Sequence, residues 1–111
     1  MDTLELLKML RALDNEVRLR ILLILMEEKE GISFNELARK LNIERGLLAY
    51  HIGILKHLDL VKCVYERRSR SISRYSITER GKKVLLYLIK SLEESENQEE
   101  SEQIEAKASL L

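Results

Sequence analysis

The stretch that most constrains this chain is residues 44–61, ERGLLAYHIGILKHLDLV. At helical period Leu48, Ile52 and Leu55 fall at i, i+4 and i+7 and share one face. Leu47, Ile54 and Leu58 widen that apolar stripe on its other side. The opposite face carries Arg45, Gly46, Ala49, Tyr50, Gly53 and Lys56, with no acid between Arg45 and Lys56. A solvated helix face ordinarily mixes both signs on long side chains. A small, cationic and aromatic face instead suits close approach by something negatively charged.

The residues just upstream supply a partner for this helix. Ser33 followed by Glu36 is a capping-box start, and Leu37, Ala38 and Leu41 make one short amphipathic helix. Asn42 suits the left-handed residue that ends it. Two helices joined by so short a turn, the second with a basic face, form a helix-turn-helix pattern.

The order and spacing of several segments then resemble one family. The run AYHIGILKHLDLV, residues 49–61, is similar to the end of the recognition helix in ArsR-type and MarR-type winged-helix regulators. His51 and Ile52, Leu55 and Lys56, and Leu60 and Val61 carry that likeness. ALDNEVRLRIL at 12–22 resembles the entry to the family's second helix, and RYSITERGKKVL at 74–85 its second wing strand and final helix. The resemblance covers roughly residues 4–92. Family members often carry Ser near position 49 and Lys near position 53, where this chain has Ala and Gly. The resemblance implies a mainly α fold with a small β-hairpin wing, dimerising through the terminal helices. It also implies a homodimeric regulator of transcription that binds double-stranded DNA. The single cysteine, Cys63, cannot form an internal disulfide, which fits a reducing cytoplasm.

The net charge of zero conceals a division. Residues 1–92 hold 18 Lys and Arg against 12 Asp and Glu, a net of +6, whereas residues 93–111 hold 1 Lys and 7 Glu, a net of −6. Within 33–83 the balance is 12 basic to 5 acidic residues. A basic domain, residues 1–92, is thus followed by an acidic tail or helix extension, residues 93–111.

In chain order, Leu6, Leu10 and Leu13 line one face of a first helix over 3–13, with Leu4 and Leu7 beside them. Asp14 or Asn15 caps a second helix over 16–29, whose LRILLILM segment is apolar nearly all round and belongs at the core centre. Ile32 suits a very short strand beside the wing. Residues 61–78 read as a hairpin with strands near 61–67 and 72–77. Its arm carries Lys62, Arg67, Arg68, Arg70 and Arg74 against the single acid Glu66, an arrangement that favours nucleic-acid phosphates or a narrow minor groove. Thr78 and Glu79 open the last helix. Its VLLYLI run, 84–89, is apolar all round, so one face is expected on the core and the other on a second protomer. The expected dimer interface comprises Leu6, Leu10, Leu85, Leu88 and Leu92.

Expected DNA contacts are Arg45, Gly46, Ala49, Tyr50, Gly53, Lys56, Arg67, Arg68, Arg70 and Arg74. Arg45 suits a guanine edge or a phosphate, and Tyr50 a phosphate or a thymine methyl. A winged-helix adaptor that binds protein through the same basic face is the alternative.

No catalytic constellation stands out, so an enzyme is not expected. His51 and His57 are six residues apart, about 240° around a helix, and do not share one metal ion without other ligands. Residues 33–46 hold no Cys and the last helix no Asp or His, where metal sensors of the resembled kind place their ligands. His51 therefore reads as a packed or hydrogen-bonded helix residue and Cys63 as a small strand residue. No metal or cofactor is expected, and no residue identifies a small-molecule effector. No apolar run approaches the ~20 residues that span a membrane.

Overall fold

Asn15 starts the helix on which the other elements pack. The computed structural model describes residues 1–65 and 73–109. Asn15 accepts a hydrogen bond from the Arg18 amide through its side chain at 3.0 Å, satisfying one of the free donors that begin helix α2, Glu16–Glu27. Ile21, Leu22 and Leu25 of α2 are fully buried, and the helix touches α1, α3, α4, α5 and strand β3. Its apolar circumference is not wholly covered, because Leu23 remains exposed.

Helix α1, Thr3–Leu13, begins at Asp2, whose carboxylate accepts from the Glu5 amide at 2.8 Å. Met9, Ala12 and Leu13 enter the core, while Leu4, Leu6, Leu7 and Leu10 stay outside. Strand β1, Ile32–Ser33, leads directly into α3, Phe34–Leu41. Ser33 Oγ caps α3 by accepting from the Glu36 amide at 3.3 Å, and Asn42 closes it in the left-handed region at φ 53°. Helix α4, Arg45–His57, follows α3 after three residues, Asn42, Ile43 and Glu44.

Strands β2, Val61–Tyr65, and β3, Ser73–Ile77, complete an antiparallel sheet in the order β1-β3-β2. Val61 opposes Ile77, Cys63 opposes Tyr75, and Ile32 pairs with Tyr75 from the other edge. Gly31 makes the β1 corner: its φ is +85°, and a Cβ there would stand 2.8 Å from Ser76 Oγ.

Thr78 joins the sheet to the last helix, α5, Glu79–Ser109. Its hydroxyl donates to the Asp59 carbonyl at 2.6 Å and accepts from the Gly81 amide at 2.9 Å. This caps α5 and ties it to the end of α4. Lys82 sits in the first turn of α5, where a cation is unfavourable against the helix dipole, and pairs there with Glu79 at 3.2 Å.

Leu85 is only 3% exposed and Leu88 is half-buried, so both pack on this protomer's core. The outward apolar residues are Leu86 (54%), Tyr87 (73%), Ile89 and Leu92 (64%). Leu85 and Leu88 lie on one line of the helix that faces the core, and Leu92 on the same line is exposed. Leu6 and Leu10, both about half exposed, stay available.

Helix α5 then runs on through the acidic segment as one element of 31 residues. Its far half has no buried residue among those described, which draws the molecule out to 70 × 31 × 24 Å. The radius of gyration is 18.3 Å, against ~13 Å for a compact domain of this size. Helix-favouring Glu, Gln, Ala and Lys sustain that extension through propensity rather than burial. No described helix is long and apolar enough to cross a membrane.

Candidate nucleic-acid interface

The α3–turn–α4 unit is held from beneath. Leu48, His51, Ile52 and Leu55 of α4 are buried, while Arg45, Gly46, Ala49, Tyr50, Gly53 and Lys56 are all exposed. The sequence-expected surface is therefore one continuous outer face of α4. A Cβ added at Gly46 or Gly53 would meet nothing within 4 Å. No packing inside the protomer accounts for those two glycines, and each lowers helix propensity by ~1 kcal/mol relative to Ala.

Arg45 is braced rather than loose. Its guanidinium donates to Asn35 Oδ1 and lies over the Phe34 ring, 5.2 Å from the centroid. Phe34 in turn packs against Tyr75, with centroids 6.2 Å apart. The chain Arg45–Phe34–Tyr75 connects the start of α4 to the central strand of the wing. Tyr50, 62% exposed, meets the His51 ring edge-on at 5.2 Å.

The protein matches the family model of a helix-turn-helix domain over residues 13–64. No curated protein matches it in sequence. Among solved structures, a transcriptional regulator homologue from Pyrococcus horikoshii OT3 is 26% identical, at a TM-score of 0.69 over 85% of this chain and 95% of that one. MepR from S. aureus, in a structure with DNA, is 16% identical, at a TM-score of 0.70 over 94% of this chain and 86% of that one. AdcR, the adhesin competence repressor from Streptococcus pyogenes, is 19% identical, at a TM-score of 0.60 over 75% of this chain. This protein spans 59% of AdcR's length.

The fold is that of a winged helix-turn-helix. Its likeness is to transcriptional regulators of the MarR and ArsR type.

The winged helix brings together part of the expected site. The six α4 residues share one face. Arg74 is half-buried, and its Nη1 donates to the Gly31 carbonyl at 3.4 Å, which links it to the β1 corner. It sits in the central strand of the sheet. Lys62, on the edge strand β2, is exposed. Arg67, Arg68 and Arg70 lie outside the described residues.

Sequence reasoning missed Asn35 and Phe34 as the holders of Arg45, and Arg18 as the partner of His51. None had a sequence signal, because each contact crosses between elements. His51 itself is packed and hydrogen-bonded, as its position in the helix suggests. It is 5% exposed, Arg18 Nη1 donates to its Nδ1 at 2.9 Å, and burial followed by the Arg18 charge lowers its pKa below the ordinary imidazole value. Among the described residues no group of three or more His, Cys, Asp or Glu could hold a metal ion.

Proposed function

We propose that this winged-helix protein is a transcriptional regulator that binds double-stranded DNA as a homodimer, with α4 in the major groove and the wing, residues 61–77, on the backbone or minor groove. The observation that carries the reading is the outer face of α4: exposed from Arg45 to Lys56, free of acids, and small where a groove wall would press closest. Arg45, held by Asn35 and Phe34, is pre-aimed toward a guanine edge or a flanking phosphate. Tyr50 presents an aromatic face with a hydroxyl at its tip. Lys56 and Lys62 add phosphate contacts, and the wing arginines Arg67, Arg68 and Arg70 belong to the same proposal by charge and position in sequence. The likeness to MepR, solved with DNA, supports it.

The dimer would form where α1 and α5 leave apolar surface open, through Leu6, Leu10, Leu86, Tyr87 and Leu92. Two recognition helices would then sit about 34 Å apart, one DNA turn, on a near-palindrome. Residues 1–92 would form the DNA-binding and dimerising unit. The acidic end of α5 would lie outside it.

The test is fluorescence anisotropy of a random-sequence duplex of ~25 base pairs, titrated with protein across a salt series. Binding near micromolar at low salt, with log affinity falling steeply and linearly against log salt, is the expected result. Flat anisotropy at about 50 mM salt would overturn it and return the basic face to an acidic protein partner.

A further inference from the structure

Arg18 projects from the first turn of α2 and does something no apolar residue there could do. Its Nε donates to the Ala12 carbonyl at 2.6 Å and its Nη2 to the Arg11 carbonyl at 3.2 Å. Both acceptors lie in the last turn of α1, where carbonyls lack helical partners. Its Nη1 reaches His51 Nδ1 at 2.9 Å, in the middle of α4. Arginine has no acceptor, so Nδ1 must carry the lone pair and the ring proton must sit on Nε2. One side chain thus binds the end of α1 and the centre of α4 together.

The surroundings make this link matter. An open groove of about 550 Å³ lies between α1 and α4, lined by Lys8 and Arg11 on one side and Tyr50, Gly53 and His57 on the other. Arg18 is part of its lining. The guanidinium joins the two helices at this groove. His51 is buried and Arg18 half-buried, so water competes less for the hydrogen bond between them.

We infer that Arg18 is a positioning residue that sets the angle of the recognition helix relative to α1 through His51, and thereby the half-site spacing the dimer accepts. The inference rests on the proposed DNA-binding homodimer, in which α1 lies at the interface and α4 in the groove. A 13-residue helix is ~20 Å long. Tilting it by about 10° moves one end by roughly 3 Å, close to one base-pair step. Small freedom at this joint therefore becomes an error of one base pair in the distance between two half-sites.

The test uses the full chain and a set of duplexes that carry two copies of a selected half-site, with the separation stepped one base pair at a time. Wild-type protein is expected to show a narrow spacing optimum. Arg18→Met keeps the aliphatic stem but removes every donor, and His51→Leu removes the acceptor. Both are expected to lose roughly tenfold at the optimum, the scale of one charged hydrogen bond, and to bind neighbouring spacings and random duplex as wild type does. His51→Asn, which returns an acceptor near the Nδ1 position, is expected to restore the optimum. Retention of the wild-type optimum by Arg18→Met would overturn the inference. So would an equal loss on every duplex, which marks a general loss of folded protein or of phosphate contact. If wild-type protein binds no duplex at all, the proposed function fails, and the joint is read by ¹⁵N NMR of His51. A bare Nδ1 with protonated Nε2, changed by Arg18→Met, upholds the link between the helices. A ring protonated on Nδ1 overturns it.

Discussion

Gly53→Ala separates what α4 does for the fold from what it does for a ligand. In the interior of an exposed helix face, alanine in place of glycine reduces the entropy lost on folding by ~1 kcal/mol. That gain appears only if the new methyl meets no obstacle, and a Cβ at Gly53 has nothing within 4 Å. For a chain of this size the expected rise in Tm is roughly 4–6 °C, followed by circular dichroism. DNA affinity should move the other way. If α4 lies flush against the groove, the methyl overfills a tight contact and costs about 1–3 kcal/mol, a five- to 150-fold rise in Kd by anisotropy. A fall in Tm would refute the open outer face of α4. A rise in Tm with unchanged Kd would refute close approach at Gly53. Gly81→Ala is the control in which the fold decides the sign. There a Cβ would be driven into the Leu60 carbonyl oxygen and to 2.7 Å from Ile77 Cγ1, with backbone on one side that has no room to move. The same substitution is expected to destabilise by about 1–3 kcal/mol.

Arg45→Ala is expected to lose about 1–3 kcal/mol on a selected site and to relax specificity at one base position; uniform loss across selected and random duplexes would reassign it to a phosphate. Leu86→Glu with Tyr87→Glu is expected to yield folded monomers in analytical ultracentrifugation, because both side chains point outward; persistent dimers would remove this face of α5 from the interface. For pH, burial and the Arg18 charge lower the His51 pKa in the folded state, whereas the unfolded ring titrates near 6.5. The unfolded chain therefore binds the extra proton first. Stability held by neutral His51 is complete above about pH 6.5 and declines as pH falls below it. Lys8, Arg11, Arg18, Tyr50 and His57 are charged or titratable groups that line this joint, and none offers a carboxylate to the imidazolium. His51→Asn should flatten the dependence of Tm on pH between about 5 and 7; an unchanged slope would place its origin elsewhere.

The order of elements was legible because local chemistry writes it. Asp2, Asn15, Ser33 and Thr78 each cap the helix that follows, and Asn42 ends α3 in the left-handed region. The strip Leu48, Ile52 and Leu55 needed only the 3.6-residue period to be placed inward, and its opposite face was thereby placed outward. The short strand at Ile32 was also readable, since an apolar residue between Gly31 and the Ser33 cap has little room for anything else. Charge division along the chain is a property of order alone.

Other features depended on contacts between distant residues. Period cannot orient a helix that is apolar all round, so only packing beneath the Thr78 cap could turn Leu85 and Leu88 inward and leave Leu86 and Tyr87 outside. Arg74 meets the Gly31 carbonyl only because β1 pairs beside β3. Arg45 found Asn35 ten residues away, and Arg18 found His51 at a separation of 33. By itself the sequence determined which helices form, where they stop, and which face of α4 is cationic and small, because caps, period and charge act within a turn or two. Tertiary structure alone decided which arginines brace the fold and which face outward, because a guanidinium takes the acceptors that three-dimensional packing brings within reach.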